Sequence, residues 1–419
     1  MSENIILKKE DYPGKCSCGR EHTMSTEKMV IGKDAMYGFA DILAEQGYTG
    51  KFCAVYDKNT YEAMAGKRPQ CAKELILDPE NLHANEIGLQ RLADQFEACD
   101  FLVAIGGGTI HDLTRYTATE KNIPFISVPT AASVDGFTAS VAAMTLEGFK
   151  KTVSAQAPRI VVGDTEVISK APMYLTASGF GDVLGKYVSL TDWRISRELT
   201  GEYFCDYTAD LTMQAVVDTC KAGDGIAAGD PDAYGLLAKA LLLSGIAMQM
   251  VGNSRPASGA EHHCSHLIEM GVPWLPATEA LHGEKVGVGT LMVIPVYRSW
   301  IGKGPEKLID SIAAFKGHDA KEMEAVYGPR LAGQIIEENA NNCLNKVTPQ
   351  ALEEKWGAVQ DLLKALPSED QVRKSLLQVG GLTTLDEIAE PQDKAAEILR
   401  WSPYVRNRLT FNRMLHTLG

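Results

Sequence analysis

Basic charge is scarce in this 419-residue chain: 41 lysines and arginines face 54 aspartates and glutamates, a formal net charge of -13. A nucleic-acid backbone needs a basic face, so nucleic acid is excluded as the main partner. An anionic small molecule remains admissible only in a locally basic pocket. A membrane-length apolar run is also missing. The most apolar stretch, Leu236 to Val251, is interrupted by Lys239, Ser244, Gly245 and Gln249 and reads as a buried helix. Met1 to Lys15 carries charges throughout, which argues against a secretory signal. The nine cysteines are odd in number and scattered, as suits reduced thiols in a cytosolic enzyme. Internal repeats, low-complexity tracts and long linkers are absent. What is left is a cytoplasmic globular protein, not a membrane one, long enough for two domains.

The first 165 residues alternate short apolar runs with helical patterns. Lys51 to Tyr56, Glu74 to Leu77, Phe101 to Ile105, Phe125 to Val128 and Ile160 to Val162 read as strands. Asn59 to Ala65, Ala84 to Cys99 and Ile110 to Lys121 read as helices between them. Such alternation predicts βαβ units and a mainly parallel, Rossmann-like sheet. Val141 to Thr145 and Lys151 to Ser154, joined through Glu147-Gly148, read as an inserted hairpin. From Met173 onward the periodicity is helical, including Leu352 to Leu366 and Asp370 to Val379. The expected organisation is a nucleotide-binding α/β domain over 1–165 and an all-α metal- and substrate-binding domain over 166–419.

The strand Phe101 to Ile105 runs into Gly106-Gly107-Gly108-Thr109-Ile110-His111-Asp112, which opens a helix. Glycines there let a backbone approach a diphosphate, and free amides at a helix start attract its charge. A tight strand-to-helix turn also favours glycine, and the pattern departs from G-x-G-x-x-G. Asp57 ends another strand, where it can bind an adenosine ribose, cap the next helix, or do both. Its charge disfavours a 2′-phosphate, so NAD is favoured and NADP tolerated. The loop Pro129 to Gly136 follows a third strand, with Thr130 and Ser133 as small cofactor contacts. Asp135 is placed either to touch a polyol hydroxyl or to nucleate a turn.

Four of the nine histidines fall in Ala257 to His266 and Leu281 to Glu284. On a helix His262 and His266 share a face, while His263 is rotated roughly 100° away. His282 arrives after Pro273 and Pro276 have broken that helix. Two imidazoles and a carboxylate make a face for a divalent metal with positions open to substrate. Chance pairing of histidines at i, i+4 is the plainer alternative, and spacing does not separate His262 from His266. Near the amino terminus Cys16, Cys18 and His22 offer soft donors, yet C-x-C is tight for zinc and no fourth ligand is nearby. A polar hairpin is expected there.

Several motifs, in order, carry a resemblance: C-x-C-G-x-x-H, V-Y-D-x-N-T-Y, G-G-G-T-I-H-D, T-A-A-S-V-D-G, G-F-G-D-V-L-G-K, S-G-x-E-H-x-x-S-H, L-H-G-E-K-V-G and the closing Arg406-Asn407-Arg408-Leu409-Thr410. They resemble the metal-dependent, iron-type polyol dehydrogenase and dehydroquinate synthase-like superfamily, and within it the bacterial-type sn-glycerol-1-phosphate dehydrogenases. The resemblance implies Asp182, His262 and His282 as metal ligands, with Asp182 also in the catalytic set. It implies His266 and Asp135 facing substrate, and Gly106 to Asp112 with Thr130 to Ser133 on the cofactor. The implied reaction is reversible reduction of dihydroxyacetone phosphate to sn-glycerol 1-phosphate with NAD or NADP, serving phospholipid synthesis. Zinc and nickel are the leading metals, with iron admissible, and a homodimer is implied. Relatives tend to carry Ser four residues beyond the loop Asp, where this chain has Ala139 and then Ser140.

Three other readings compete. A polyol dehydrogenase without a phosphate requirement shares most of the motifs. A dehydroquinate synthase-like lyase would carry Glu at the position of Asp182. A redox-inactive nucleotide-binding paralogue would be expected to lose a metal ligand, and all three are present. Lys151, Lys186 and Arg255 are the candidate phosphate-binding cations, with a solvated surface role the alternative for each.

Overall fold

Continuous apolar runs mark the central strands because both faces of their sheet are covered. The computed structural model describes residues 4–147 and 149–418, and nine strands form among them. They are β1 (Ile5–Lys8), β2 (Lys28–Gly32), β3 (Phe52–Asp57), β4 (Lys73–Leu77), β5 (Phe101–Gly106), β6 (Phe125–Pro129), β7 (Val141–Leu146), β8 (Phe149–Ser154) and β9 (Ile160–Asp164). Seven make one sheet in the order β1-β2-β9-β6-β5-β3-β4. Every neighbouring pair is parallel except β1 with β2.

The two-residue period of the strands divides their side chains between two cores. Ala54, Tyr56, Val103, Ile105, Val128 and Val162 pack on one face with Phe39 and Leu43 of helix Phe39–Glu45. Cys53, Val55, Leu75, Leu102, Ala104 and Phe125 pack on the other with Ile110, Leu113 and Ala118 of helix Gly108–Lys121. The five expected strands are all present, with ends shifted by no more than two residues. β1 and β2 were not anticipated. β1 is a four-residue edge strand, alternately half-buried and exposed, too short for its pattern to stand out. The helix expected over 84–99 covers only Glu86–Ala93; its start is fixed by Asn85, which caps it by accepting from the Gly88 amide.

The hairpin β7–β8 stands apart from the main sheet, with Glu147 at φ 55 entering its turn. Gly148, expected in that turn, lies outside the described residues, as do the first three residues of the charged amino-terminal stretch.

Beyond Asp164, which caps helix Thr165–Ile168 through the Glu166 amide, the described elements are helical. The apolar helix runs over Pro231–Val251, started by an Asp230 cap and Pro231 in its first turn. Its interruptions do not disqualify it: by length and composition it is long enough to cross a membrane. Its side chains are nevertheless buried in the largest core, where Leu237, Leu241 and Ile246 meet Phe180, Val183 and Val188. The carboxyl ends of β3, β5 and β6 open onto a cleft walled on the far side by these helices. Strand order turns back between β3 and β5, the position where open α/β sheets bind ligands.

Candidate metal and cofactor site

Two glycines let the helices that carry Asp182 and His282 touch. Helix Met173–Leu184 packs against helix His282–Arg298, and a Cβ on Gly181 would run into the Gly283 carbonyl oxygen. A Cβ on Gly283 would collide in turn with the carbonyl of Ser178. The G-F-G-D and H-G-E segments therefore hold Asp182 and His282 side by side. Helix Ala260–Met270 supplies the third group. Its start is fixed by two buried carboxylates: Glu261 accepts from the Gly259 amide at 2.9 Å and Asp192 from the Ala260 amide at 2.9 Å. The helix ends at Met270 with Gly271 at φ 62, ahead of the prolines expected to break it.

One donor atom each from Asp182, His262 and His282 lies within 4.8 Å of the others. His262 Nε2 is 3.5 Å from Asp182 Oδ1. Its Nδ1 donates to Glu261 Oε1 at 2.6 Å, and His282 Nδ1 donates to Glu269 Oε1 at 2.7 Å. Both imidazoles thus have Nδ1 occupied as a donor, which leaves Nε2 as the nitrogen that a cation can take in place of a proton. A second group, His266, Glu269 and His282, is equally close. Glu269 is committed there to orienting rings, since it accepts from His266 Nδ1 at 3.2 Å as well.

Charge fits a divalent ion. Asp135, Asp182, Glu261 and Glu269 bring four formal negative charges to this cluster; one ammonium, Lys186, bridges Asp135 and Asp182, and a second, Lys285, stands 4.0 Å from Glu269. Burial alone would raise Asp182, but Lys186, His262 and His282 hold it well below the usual carboxylate range. Burial and Lys186 press down on His262, yet the carboxylates of Asp182 and Glu261 raise it to about 9. The position favours positive charge. Burial pushes His266 down to about 3, so its ring is neutral. His263, off the shared face, is fully buried and also held neutral by burial.

The cleft has a volume of about 790 Å3 and runs from Asp57 to His282. Gly107, Gly108, Thr109, Asp112, Thr130, Ser133, Asp135, His262 and His266 also line it. Asp182 is fully buried behind that surface. Gly106 does not reach the cleft: a Cβ there would strike Ile110, so its smallness serves the turn. Gly107 is different. Its φ of -86° suits any residue, and a Cβ would meet nothing within 4 Å. Neither backbone nor packing requires glycine, which leaves close approach of a ligand as its physical use. Gly107 also begins helix Gly108–Lys121 without a side-chain cap, so the first amides face the cleft.

Asp57 is the helix cap foreseen for it, and it stands where it is open to the cleft. Its Oδ1 caps helix Lys58–Ala63 by accepting from the Thr60 amide at 2.8 Å, and the residue lines the cleft. Arg115 pairs with Asp112 at 3.0 Å and donates to the carbonyls of Gly136, Phe137 and Val141. It thereby locks the loop that carries Asp135. Ala139 lines the cleft and Ser140 does not, so the neighbouring serine does not stand in for the one relatives tend to carry.

With this geometry in hand, comparison with known proteins gives a consistent answer. Residues 30–172 match the family described as iron-containing alcohol dehydrogenase. The chain is 33% identical to glycerol-1-phosphate dehydrogenase (NAD(P)+) of Bacillus licheniformis, over 97% of this chain and 93% of the relative. It is 33% identical to the protein of that name from Geobacillus stearothermophilus, over 96% of each. The chain belongs to the glycerol-1-phosphate dehydrogenase family. The sulfoacetaldehyde reductase of Bifidobacterium kashiwanohense, solved in complex with NAD+, shares the fold with a TM-score of 0.60 at 16% identity, covering 95% of this chain and 97% of that one.

For a member of this family the expected phosphate cations need correction. Lys186 is fully buried and bridges Asp182 Oδ1 at 2.8 Å and Asp135 Oδ2 at 2.9 Å. Arg255 is buried too, bonded through Nε and Nη2 to Glu202 and through Nη2 to the Leu409 carbonyl. Neither lines the cleft, and Lys151 does not line it either. Two cations line the cleft: Arg115, held by Asp112 and three carbonyls, and Lys170, 3.9 Å from Glu166; two more, from the chain's end, touch residues that line it. Arg406 Nη2 is 3.4 Å from Oγ1 of Thr152, a cleft residue, and Arg408 Nη2 donates to Oγ of Ser254, another, at 2.8 Å. Glu261 and Glu269 also escaped notice, although Glu269 lies on the His262/His266 face by helical spacing.

Proposed function

We infer that the protein is an NAD(P)-dependent, metal-dependent oxidoreductase that reversibly reduces dihydroxyacetone phosphate to sn-glycerol 1-phosphate. The observation that carries this reading is the convergence of Asp182, His262 and His282 at one end of a cleft whose other end holds Gly107 and Asp57. The relatives' name supplies the substrate class. Asp182, His262 and His282 would hold one divalent ion, zinc or nickel before iron, since two imidazoles and a carboxylate suit all three. When bound, the ion polarises a ketone and the nicotinamide exchanges hydride with its carbon.

The chain's own residues do the rest. Glu261 and Glu269 fix the ring orientation of the ligating histidines. Neutral His266 orients the glycerol hydroxyls or relays a proton, its Nδ1 held by Glu269. Asp135, held by Ser244 and Lys186, faces the substrate with a fixed carboxylate. Gly107, Gly108, Thr109, Asp112, Thr130 and Ser133 receive the dinucleotide, and Asp57 favours NAD over NADP. Arg406 is the cation placed to select the substrate phosphate. We divide the chain at 165/166 into a nucleotide-binding and a helical domain, and expect a homodimer. Nine free thiols suit a reducing cytoplasm.

The test is NADH oxidation with dihydroxyacetone phosphate against dihydroxyacetone, with metal restored after chelation. Loss of a charge-assisted phosphate contact costs about 1.5–3 kcal/mol, so the specificity ratio should be at least roughly tenfold. Arg406→Ala should lower that ratio and leave dihydroxyacetone turnover nearly unchanged. A ratio near one, or the opposite glycerol phosphate stereoisomer, overturns the substrate assignment and favours a general polyol dehydrogenase.

A further inference from the structure

The hairpin expected around Cys16 to His22 does form, closed by pairing of Lys15 with Glu21 and turned at Gly19 with φ 83. Its donors are not left as polar surface. Cys205, 183 residues beyond His22 and at the start of helix Asp206–Ala227, brings a fourth donor to the same point. One donor atom each from Cys16, Cys18, His22 and Cys205 lies within 4.8 Å of the other three.

Three of the six separations lie close to the edges of a tetrahedron, and the others are within 4.8 Å. Zinc–sulfur bonds of about 2.3 Å and zinc–nitrogen bonds of about 2.05 Å give edges of about 3.8 Å between sulfurs and about 3.6 Å between sulfur and nitrogen. Cys16 Sγ and Cys205 Sγ are 3.7 Å apart. His22 Nε2 is 3.4 Å from Cys18 Sγ and 3.3 Å from Cys205 Sγ. The tautomer is right as well. His22 Nδ1 lies 2.7 Å from the Met250 carbonyl oxygen, an acceptor only, so Nδ1 carries the proton and Nε2 the lone pair. The Arg20 amide donates to the Cys18 sulfur and the Tyr203 hydroxyl lies 3.2 Å from it, placed to donate to a metal-bound thiolate. His22 and Cys205 are buried, and Arg20 stacks over the Tyr203 ring beside them.

We propose that Cys16, Cys18, His22 and Cys205 form a structural zinc site, separate from the cleft. None of the four lines the cleft. Three soft sulfurs and one imidazole select zinc over hard cations, and four protein ligands leave no position open for substrate. The consequence is mechanical. The segment between β1 and β2, on the edge of the sheet, is clamped to the start of helix Asp206–Ala227 and, through His22, to the end of helix Pro231–Val251. Met248, one turn from that end, lines the cleft, so the clamp ties sheet to helices where the cleft needs a fixed width.

The experiment measures zinc in the intact protein and in His282→Ala, which removes a cleft ligand. His282→Ala should keep one zinc equivalent per chain, released stoichiometrically when a mercurial blocks the thiols. Its cobalt-substituted form should show thiolate-to-cobalt charge transfer in the near ultraviolet and intense tetrahedral d–d bands. Adding Cys205→Ser should abolish both the zinc and the charge-transfer band. Should that variant fail to fold, the mercurial release and the cobalt spectrum of the intact protein decide alone. Absence of thiolate charge transfer, no zinc released by the mercurial, or a Cys16–Cys205 disulfide in a non-reduced peptide map would overturn the proposal.

Discussion

Lys186 and Asp182, one helical turn apart and both fully buried, are joined at 2.8 Å. Burial opposes the ammonium charge, but Asp135 and Asp182 together raise Lys186 above its ordinary value, so it stays charged. A cation held by Asp182 would share that carboxylate with the ammonium. Replacing Lys186 with Met leaves two buried carboxylates without their counter-charge, a loss of about 3–5 kcal/mol for a broken buried pair. That loss should be largest without metal, because a divalent ion restores positive charge at Asp182. Thermal unfolding of Lys186→Met with chelator and with zinc should therefore show a larger metal-induced rise in Tm than the parent protein. An equal rise in both would mean that Lys186 and the ion act independently.

Gly107 offers a cleaner separation of folding from binding. Alanine fits its φ of -86° and meets nothing within 4 Å. Gly107→Ala should stay close to the parent in stability, because the about 0.4–1 kcal/mol gained from lost unfolded-state freedom is offset by alanine's poorer fit at a helix N-cap. Its methyl group projects where a diphosphate would approach, so NADH affinity should fall on the order of tenfold, about 1.4 kcal/mol. Fluorescence titration of NADH reads this without turnover. Unchanged affinity would move the diphosphate away from this turn.

The same contrast shows what was legible in the sequence. The turn at Gly106 to Gly108, Asp57 and the histidine pair announce themselves locally, through a strand ending, a cap or a helical spacing. Burial is not local. Lys186 and Arg255 read as cations free to meet a phosphate, yet tertiary packing commits each to carboxylates brought from elsewhere. Cys205 is invisible as a partner of Cys18 for the same reason, being separated by most of the first domain. Choosing His262 over His266 needed the family resemblance, because both share one helix face. Geometry adds that His262 approaches Asp182 while His266 leans on Glu269.

Asp57 caps a helix, and a single substitution can divide that role from the proposed one at the cofactor. Serine also caps helices well, so Asp57→Ser should keep helix Lys58–Ala63 and lose little stability. The variant lacks the negative charge that repels a 2′-phosphate. Its ratio of kcat/KM for NADPH over NADH should rise, by roughly tenfold for each 1.4 kcal/mol of repulsion removed. A ratio unchanged from the parent would leave Asp57 as a cap alone.

Asp192 predicts a pH dependence of stability whose sign is opposite to that of an ordinary paired carboxylate. Burial pushes it up to about 7, with Glu261 adding to the rise and the Phe411 amide opposing it. Its oxygens accept from Tyr297 Oη and the Phe411 amide at 2.8 Å each, and from the Ala260 amide at 2.9 Å. In the unfolded chain an aspartate titrates near about 3.9. Between those values the folded protein holds a proton that the unfolded chain has released, so stability falls as pH rises. The contribution is complete below the unfolded value and is lost as pH climbs through about 7. Each unit of difference corresponds to about 1.4 kcal/mol. Asp192→Asn cannot titrate, so the stability gap between the parent and this variant should narrow steadily across that interval and then level off. Thermal unfolding of both proteins in chelator, over a pH series spanning the interval, measures the gap. A gap that stays constant or widens with pH would show that Asp192 is ionised throughout in the folded state, with the Ala260 and Phe411 amides and the Tyr297 hydroxyl stabilising the charge more than burial opposes it.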